Sequence, residues 1–413
     1  MPDMTIASNP QRRISRRRFL QAGSFAAAGS ALALTGCGGG NSQRAAGKRE
    51  PVIGPVEQNR LRRFGTGVTA WDPNKTFDGL TVFSPNLGTS AYAIDMEGKV
   101  VNQWDIAGPD SSSRVWMVRA LENGNLFAFV YEPAGDAPPF VFKGARLQEL
   151  DWQGKVVWEF ADPHAHHDAT VLPNGNLLIL RAEPVPHDMA ARLRGGAPGT
   201  EQDTVWTDWV VEATRDGEVV WEWHAWQHLD PSIEVINPPD TRAEWTHANS
   251  VFQIPNGDLL ISFRNINLVA IVSRTTGDVT WDLRPPTVAQ QHHATMLENG
   301  HVMIFDNGAH RLDSAVPYSR VIQVEVESKE IVWQHADPTL LNFFSPFISS
   351  AQRLANGNTL ITEGNFGRIF EVTADHELVW EYVSPYFNVN AVLGENNGIF
   401  RAFRYPESAL NLA

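Results

Sequence analysis

The 413-residue sequence holds a single cysteine, Cys37, so no intrachain disulfide can form even in an oxidising compartment. Charge is scarce as well. Only 19% of residues are charged, and 47 acidic residues against 33 basic ones give a formal net charge of −14. Such a balance disfavours nucleic acid as a partner, and no basic patch interleaved with aromatics offsets it. An anionic substrate would therefore depend on a few local cations. No G-x-x-x-x-G-K-[ST] motif is present, so nothing suggests a phosphate cradle for a nucleotide. Amphipathic helical runs are absent beyond the N-terminus. The one apolar stretch there, residues 24–34, is short and rich in Ala, Gly and Ser, which suits a bilayer-spanning helix poorly.

Aromatics, by contrast, are plentiful at 10%, with 14 Trp, and their placement is periodic. Apolar segments ending in Trp104, Trp158, Trp221, Trp281, Trp333 and Trp380 recur along the chain. Between them lie Asn123-Gly124, Asn174-Gly175, Asn256-Gly257, Asn299-Gly300 and Asn356-Gly357, and Asn397-Gly398 follows the last Trp. Asn-Gly between apolar runs predicts a hairpin, here a type I′ turn with positive φ at both central residues. Each unit then reads as four short antiparallel strands, the last ending in Trp. Units of that kind predict an all-β fold, a six-bladed β-propeller of four-stranded antiparallel blades. A parallel β-solenoid would show shorter repeats and no Trp-ended outer strand.

The ends of the repeat region are complementary. It begins with outer-type segments (80–85, 91–96 and 99–104) and ends with an inner-type pair over 390–403. Pairing the two termini would complete a sixth blade and remove an exposed sheet edge. The expected layout is a signal segment over 1–36, a tether and lead-in over 37–77, and the propeller over 78–413. Within the first segment, S15-R-R-R-F-L20 precedes the weakly apolar stretch and L34-T-G-C37 follows it. These boxes resemble a twin-arginine (Tat) export signal and a lipoprotein cleavage site with Cys37 as lipid acceptor. The expected location is the periplasm or cell envelope, with membrane contact only through the lipid.

Three histidines recur at one place in the repeat. His167 and His292 stand seven residues before an Asn-Gly turn, and His247 stands nine before. Equivalent positions in a ring point into one shared space, so the three imidazoles should meet at the mouth of the central channel, on the face with the longer loops. Arg264 ends the second strand of His247's blade and returns to that face. Arg181, Asp306, Asn307 and Glu363 return there from neighbouring blades. The matching inner-strand positions in the other blades are Trp116, Ser349 and Asn390. Trp116 and the segment Phe343–Phe347 offer an aromatic wall. His166 and His293 are ambiguous, because a slip of one residue in a strand swaps its facing. The run H164-A-H166-H167-D168 nearly spells a binuclear metallohydrolase motif, but Ala169 stands where its final His belongs. A propeller acting only as an envelope scaffold is the other alternative; it gives no reason to gather three His and an Arg.

The segments H247-A-N-S250, S262-F-R-N265, Q291-H-H-A294 and F305-D-N-G308 together resemble the bacterial arylsulfate sulfotransferase family. G367-R-I-F-E-V372 extends the likeness, which spans roughly residues 78–413. The resemblance implies a six-bladed propeller that moves a sulfuryl group from a phenolic sulfate ester to a phenol, without a nucleotide donor or cofactor. It implies that His292 carries the sulfuryl group, and that His247, His167 and Arg264 complete the catalytic set. Trp116, Asn307, Ser349 and Asn390 would be the substrate-facing residues. Enterobacterial members also carry a disulfide and an N-terminal β-sandwich used in dimerisation. The single Cys here departs from that pattern, so the dimer does not carry over.

The export reading is directly testable. Replacing Arg16 and Arg17 by Lys should leave the protein in the cytoplasm, and Cys37→Ser should abolish lipid attachment. Normal fractionation and processing of both variants would refute it.

Overall fold

In the computed structural model, residues 65–108, 112–132, 144–390 and 394–410 are described. The signal segment and Cys37 lie outside them. The described chain forms six four-stranded antiparallel blades of a β-propeller. From the channel outward, blade 2 comprises Arg114–Ala120, Leu126–Tyr131, Ala145–Leu150 and Val156–Asp162. Blade 3 comprises Ala165–Val171, Leu177–Pro184, Trp206–Ala213 and Val219–His224. Blade 4 is built from Ala248–Gln253, Leu259–Phe263, Leu268–Val272 and Val279–Leu283. Blade 5 is built from His292–Met296, Val302–Asp306, Arg320–Val324 and Ile331–His335. Blade 6 has Ser350–Arg353, Thr359–Glu363, Arg368–Val372 and Leu378–Val383. A fifth strand, Gly67–Trp71, pairs with the outside of blade 6, drawn from the segment read as a lead-in.

Blade 1 closes the ring, with Leu80–Pro85, Ser90–Ile94 and Val100–Asp105 outside Ile399–Tyr405. The C-terminus therefore supplies one inner strand, where the sequence suggested an inner pair. Asn388–Asn390 and Gly394–Asn396 form a separate two-stranded hairpin. Asn397-Gly398 is thus no inter-strand turn of a blade; it precedes the inner strand, and neither residue has positive φ. The spacing alone had made this dipeptide look like the other five.

Those five turns also differ from the expected type I′. Only the glycines, Gly124, Gly175, Gly257, Gly300 and Gly357, have positive φ. In each turn the Asn side chain accepts from the backbone N–H two residues on, as Asn123 Oδ1 does from Asn125 at 3.1 Å. This is a type I turn followed by a left-handed glycine, the three-residue hairpin with a G1 bulge.

The repeating Trp residues join blade to blade. Each indole N–H donates to a carbonyl in the outer turn of the next blade: Trp104 to Asp151, Trp158 to Arg215, Trp221 to Arg274, Trp281 to Val326 and Trp333 to Ala374. Trp380 completes the circle by donating to Met96 of blade 1 at 2.8 Å. Cations cover several of these rings, with Arg215 4.5 Å above Trp158 and Arg274 4.7 Å above Trp221. Glu149 ties Arg215 to the Asn-Gly turn of its own blade, and Glu212 does the same for Arg274.

Burial follows the radial position. The second and third strands of blade 4, LLISF and LVAIV, are buried throughout because neighbouring blades cover both faces. Outer strands expose their valines, as at Val100 and Val101, and bury one face around Trp104. Trp380→Phe keeps an aromatic ring but leaves the Met96 carbonyl unpaired. It should lower unfolding free energy by about 1–3 kcal/mol in denaturant titrations. Unchanged stability would show that the closing bond contributes nothing.

Candidate active site at the channel mouth

The inner strands run side by side around the axis, and three of them are kinked where they enter the channel. His167, His247 and His293 have φ of 53°, 52° and 52°, and the pairing register shifts beside each. A bulge of this kind re-aims side chains and is common next to active sites. It also resolves the ambiguous neighbours. His167, His247 and His292 line one cavity of about 280 Å³, together with Trp116, Arg264, Phe347 and Ile348. His293 faces the opposite part of the channel. His166 is buried behind the cavity, its Nδ1 2.9 Å from Nδ1 of His167 and its Nε2 3.0 Å from Asp208.

The cavity is compact. The His167 and His247 ring centroids are 4.5 Å apart, and the Trp116 ring lies edge-on to His167 at 5.6 Å. Phe400 packs against Trp116 at 5.1 Å from beneath. Of the expected aromatic segment only Phe347 lines the cavity, whereas Phe343 packs against Phe305 and Phe370 in the core.

His292 is held in a defined tautomer. Asn307 Nδ2 donates to the carbonyls of Ser345 and Ile348, so its Oδ1 is the atom that meets His292 Nδ1 at 2.8 Å. Nδ1 therefore carries the proton, and Nε2 keeps its lone pair, which accepts a long 3.2 Å bond from the Ile348 N–H. Burial holds the His292 pKa well below its ordinary value, and Arg264, His247 and Arg401 act in the same direction against the Asn307 bond. His167 is likewise pushed well down, first by burial and then by the surrounding imidazoles and Arg401. Both rings are neutral at neutral pH.

Carboxylates that the sequence reading did not single out complete the site. Between blades 3 and 4 an excursion pairs Ile236–Thr241 with Gly195–Ala197 and carries Asp240 and Glu244 over the cavity. Glu244 Oε2 is 2.6 Å from His247 Nδ1, which fixes the orientation of that ring. Asp240 accepts from Arg264 Nη1 at 2.8 Å, and Asn265 accepts from the same nitrogen. The E244-W-T-H247 spacing was the only sequence signal for the first pair, and nothing in the repeat marks Asp240.

Other expected residues stand elsewhere. Asn307 acts from behind His292. Ser349 is buried outside the cavity, its hydroxyl donating to Ser345 and accepting from Gly364 N–H. Arg181 pairs with Asp162 of the preceding blade, and Glu363 with Arg368 inside blade 6. Asn390 ends the first strand of the separate C-terminal hairpin, so it does not occupy the inner-strand position assigned to it. His164 packs against Trp209, away from the histidine cluster. Among the described residues no group of His, Cys, Asp or Glu is arranged to hold a metal ion.

Buried neutral imidazoles tie stability to pH. Their folded pKa lies below the unfolded value of about 6.5, so the stabilisation is complete above that pH and is lost as pH falls through it. Unfolding free energy should therefore decline from pH 7.5 to 5.5, and less steeply in His292→Asn. Stability that rises on acidification across this window would contradict the assignment.

Residues 136–385 match the arylsulfotransferase (ASST) family. An arylsulfate sulfotransferase from Escherichia coli O6:H1 is 22% identical over 316 residues, covering 56% of this chain and 50% of that protein. The chain thus spans about half the length of this curated relative. Among solved structures, a protein of unknown function from Bacteroides caccae shares the fold, with a TM-score of 0.51 and 14% identity over 79% of this chain and 99% of its own. With its propeller, its histidine-lined channel mouth and a family match over more than half its length, the chain belongs to the arylsulfotransferase family.

Proposed function

We propose that the protein transfers a sulfuryl group from an aryl sulfate to a phenolic acceptor through a sulfohistidine at His292, without a nucleotide donor. The observation that carries this reading is the neutral, buried His292, its Nδ1 proton committed to Asn307 and its Nε2 lone pair at the cavity. In the first half-reaction Nε2 gives up the weak Ile348 bond and attacks sulfur, forming N–S as the S–O bond to the phenolate breaks. Negative charge on the sulfuryl oxygens falls to Arg264 and His247. The N-sulfo ring keeps its Nδ1 proton and is a good leaving group. In the second half-reaction the acceptor oxygen attacks sulfur and the N–S bond breaks, which restores His292.

His167 suits the second step better than the first. A neutral imidazole with a depressed pKa takes a proton from the incoming phenol more readily than it supplies one to a leaving phenolate. The substrate class follows from size and charge. A cavity of about 280 Å³ lined by Trp116 and Phe347 suits a small aromatic substrate, and its lining cation Arg264 is already partnered by Asp240. A nucleotide donor would bring further phosphate charges with nothing in this cavity to receive them. Export by the Tat route and lipid anchoring at Cys37 remain part of the proposal, with the tests given above.

Incubation with 4-nitrophenyl sulfate alone should release one equivalent of nitrophenolate per protein. It should leave an adduct of about 80 Da, the mass of SO₃, on a peptide containing His292. His292→Asn should abolish burst and adduct, and His293→Asn should retain both. Arg264→Lys keeps the charge but loses the planar fork, and should reduce turnover by about tenfold or more. Turnover without any histidine adduct would exclude the covalent route.

A further inference from the structure

The channel holds a second chamber beyond the histidine cavity. It has a volume of about 740 Å³, opens between the Asn-Gly turns of blades 5 and 6, and shares no lining residue with the first. All six inner strands contribute to it, through Arg401, Arg119, Asp168, Ser250, His293 and Ala351 in blade order. Consecutive residues are sorted between the two: His167 faces the first and Asp168 the second, and His292 and His293 divide the same way.

The charges in this chamber do not balance. Asp168 takes Arg119 Nη2 on one oxygen at 2.7 Å and Arg401 Nη1 on the other at 3.0 Å, where the Val251 N–H also donates. One carboxylate thus serves two guanidinium groups. Arg401 is 1% exposed, and its remaining Nη2 reaches across the axis to the Asn249 carbonyl. Among the described residues, the Nε atoms of Arg119 and Arg401 have no hydrogen-bond partner. His293 adds no compensating charge and accepts only from the Ala351 N–H. At the mouth stand one further cation, Arg353, which donates to the Gly357 carbonyl and Gln323, and one further carboxylate, the exposed Glu298. Burial pushes the Arg401 pKa down even against Asp168, as expected for a cation short of anions.

We propose that this chamber binds a tetrahedral oxyanion, sulfate or phosphate, between Arg119 and Arg401. An uncompensated buried cation is costly, and a chamber open to solvent lets an anion supply the missing charge. A pair of guanidinium groups matches such an anion in charge, and their planar shape suits its oxygens. The site is separate from the histidine cavity and does not depend on what that cavity catalyses.

The test is binding, not turnover. Sodium sulfate and sodium phosphate are titrated calorimetrically at fixed ionic strength into the Arg264→Gln protein, which lacks the cation of the first cavity. Saturable binding of at least one of the two should persist there. Adding Arg119→Gln should weaken it by about tenfold or more. Loss of binding on Arg264→Gln alone, or its persistence after Arg119→Gln, would overturn the proposal. Should Arg119→Gln fail to fold, selenate-soaked crystals of the parent decide the matter. An anomalous peak between Arg119 and Arg401 is expected, and its absence would refute the site.

Discussion

Closure of the ring is the constraint on which the site depends. Four-stranded blades cannot bury both faces alone; each needs a neighbour on either side, and the last must meet the first. The C-terminal strand Ile399–Tyr405 and the Trp380 indole bond to Met96 make that join. Once closed, six inner strands are held around one axis with only short sheet edges left. Small displacements of a histidine by a fraction of an ångström are resisted because every blade is wedged by two others.

On that rigid ring a local irregularity sets the chemistry. A regular strand would send His166 and His167, or His292 and His293, to opposite faces of the sheet. The left-handed residues at His167, His247 and His293 turn the strand starts instead along the channel axis. Three imidazoles and Arg264 then gather at one end, and Asp168, Arg119, His293 and Arg401 at the other. Arg401 belongs to the second chamber, yet its charge helps keep His167 and His292 neutral. The proposed nucleophile His292 and proposed base His167 thus draw their protonation state partly from a residue they do not touch.

Much of this was legible in the sequence. The Trp-ended strands and Asn-Gly turns are produced by the fold's repetition, so they announced six blades, and the repeated His positions announced a cluster. What repetition does not produce was hidden. Glu244 and Asp240 come from an excursion unique to blades 3 and 4, so no equivalent position pointed to them. The facing of His166 and His293 turned on a bulge, which a period of two cannot foresee. Asn397-Gly398 copied the turn dipeptide without forming the turn, and Asn390 was misplaced with it. Ser349 occupied the expected position, but its hydroxyl was drawn to Ser345 and Gly364 rather than toward the cavity.

The central claim, two successive displacements at sulfur with His292 as the relay, has a stereochemical signature. Each in-line displacement inverts the sulfur centre, so two in sequence return it to its starting configuration. An aryl sulfate made chiral with three oxygen isotopes, and turned over with a phenolic acceptor, should give a product with net retention at sulfur. Net inversion would mean a single direct transfer between donor and acceptor, and would contradict a covalent role for His292.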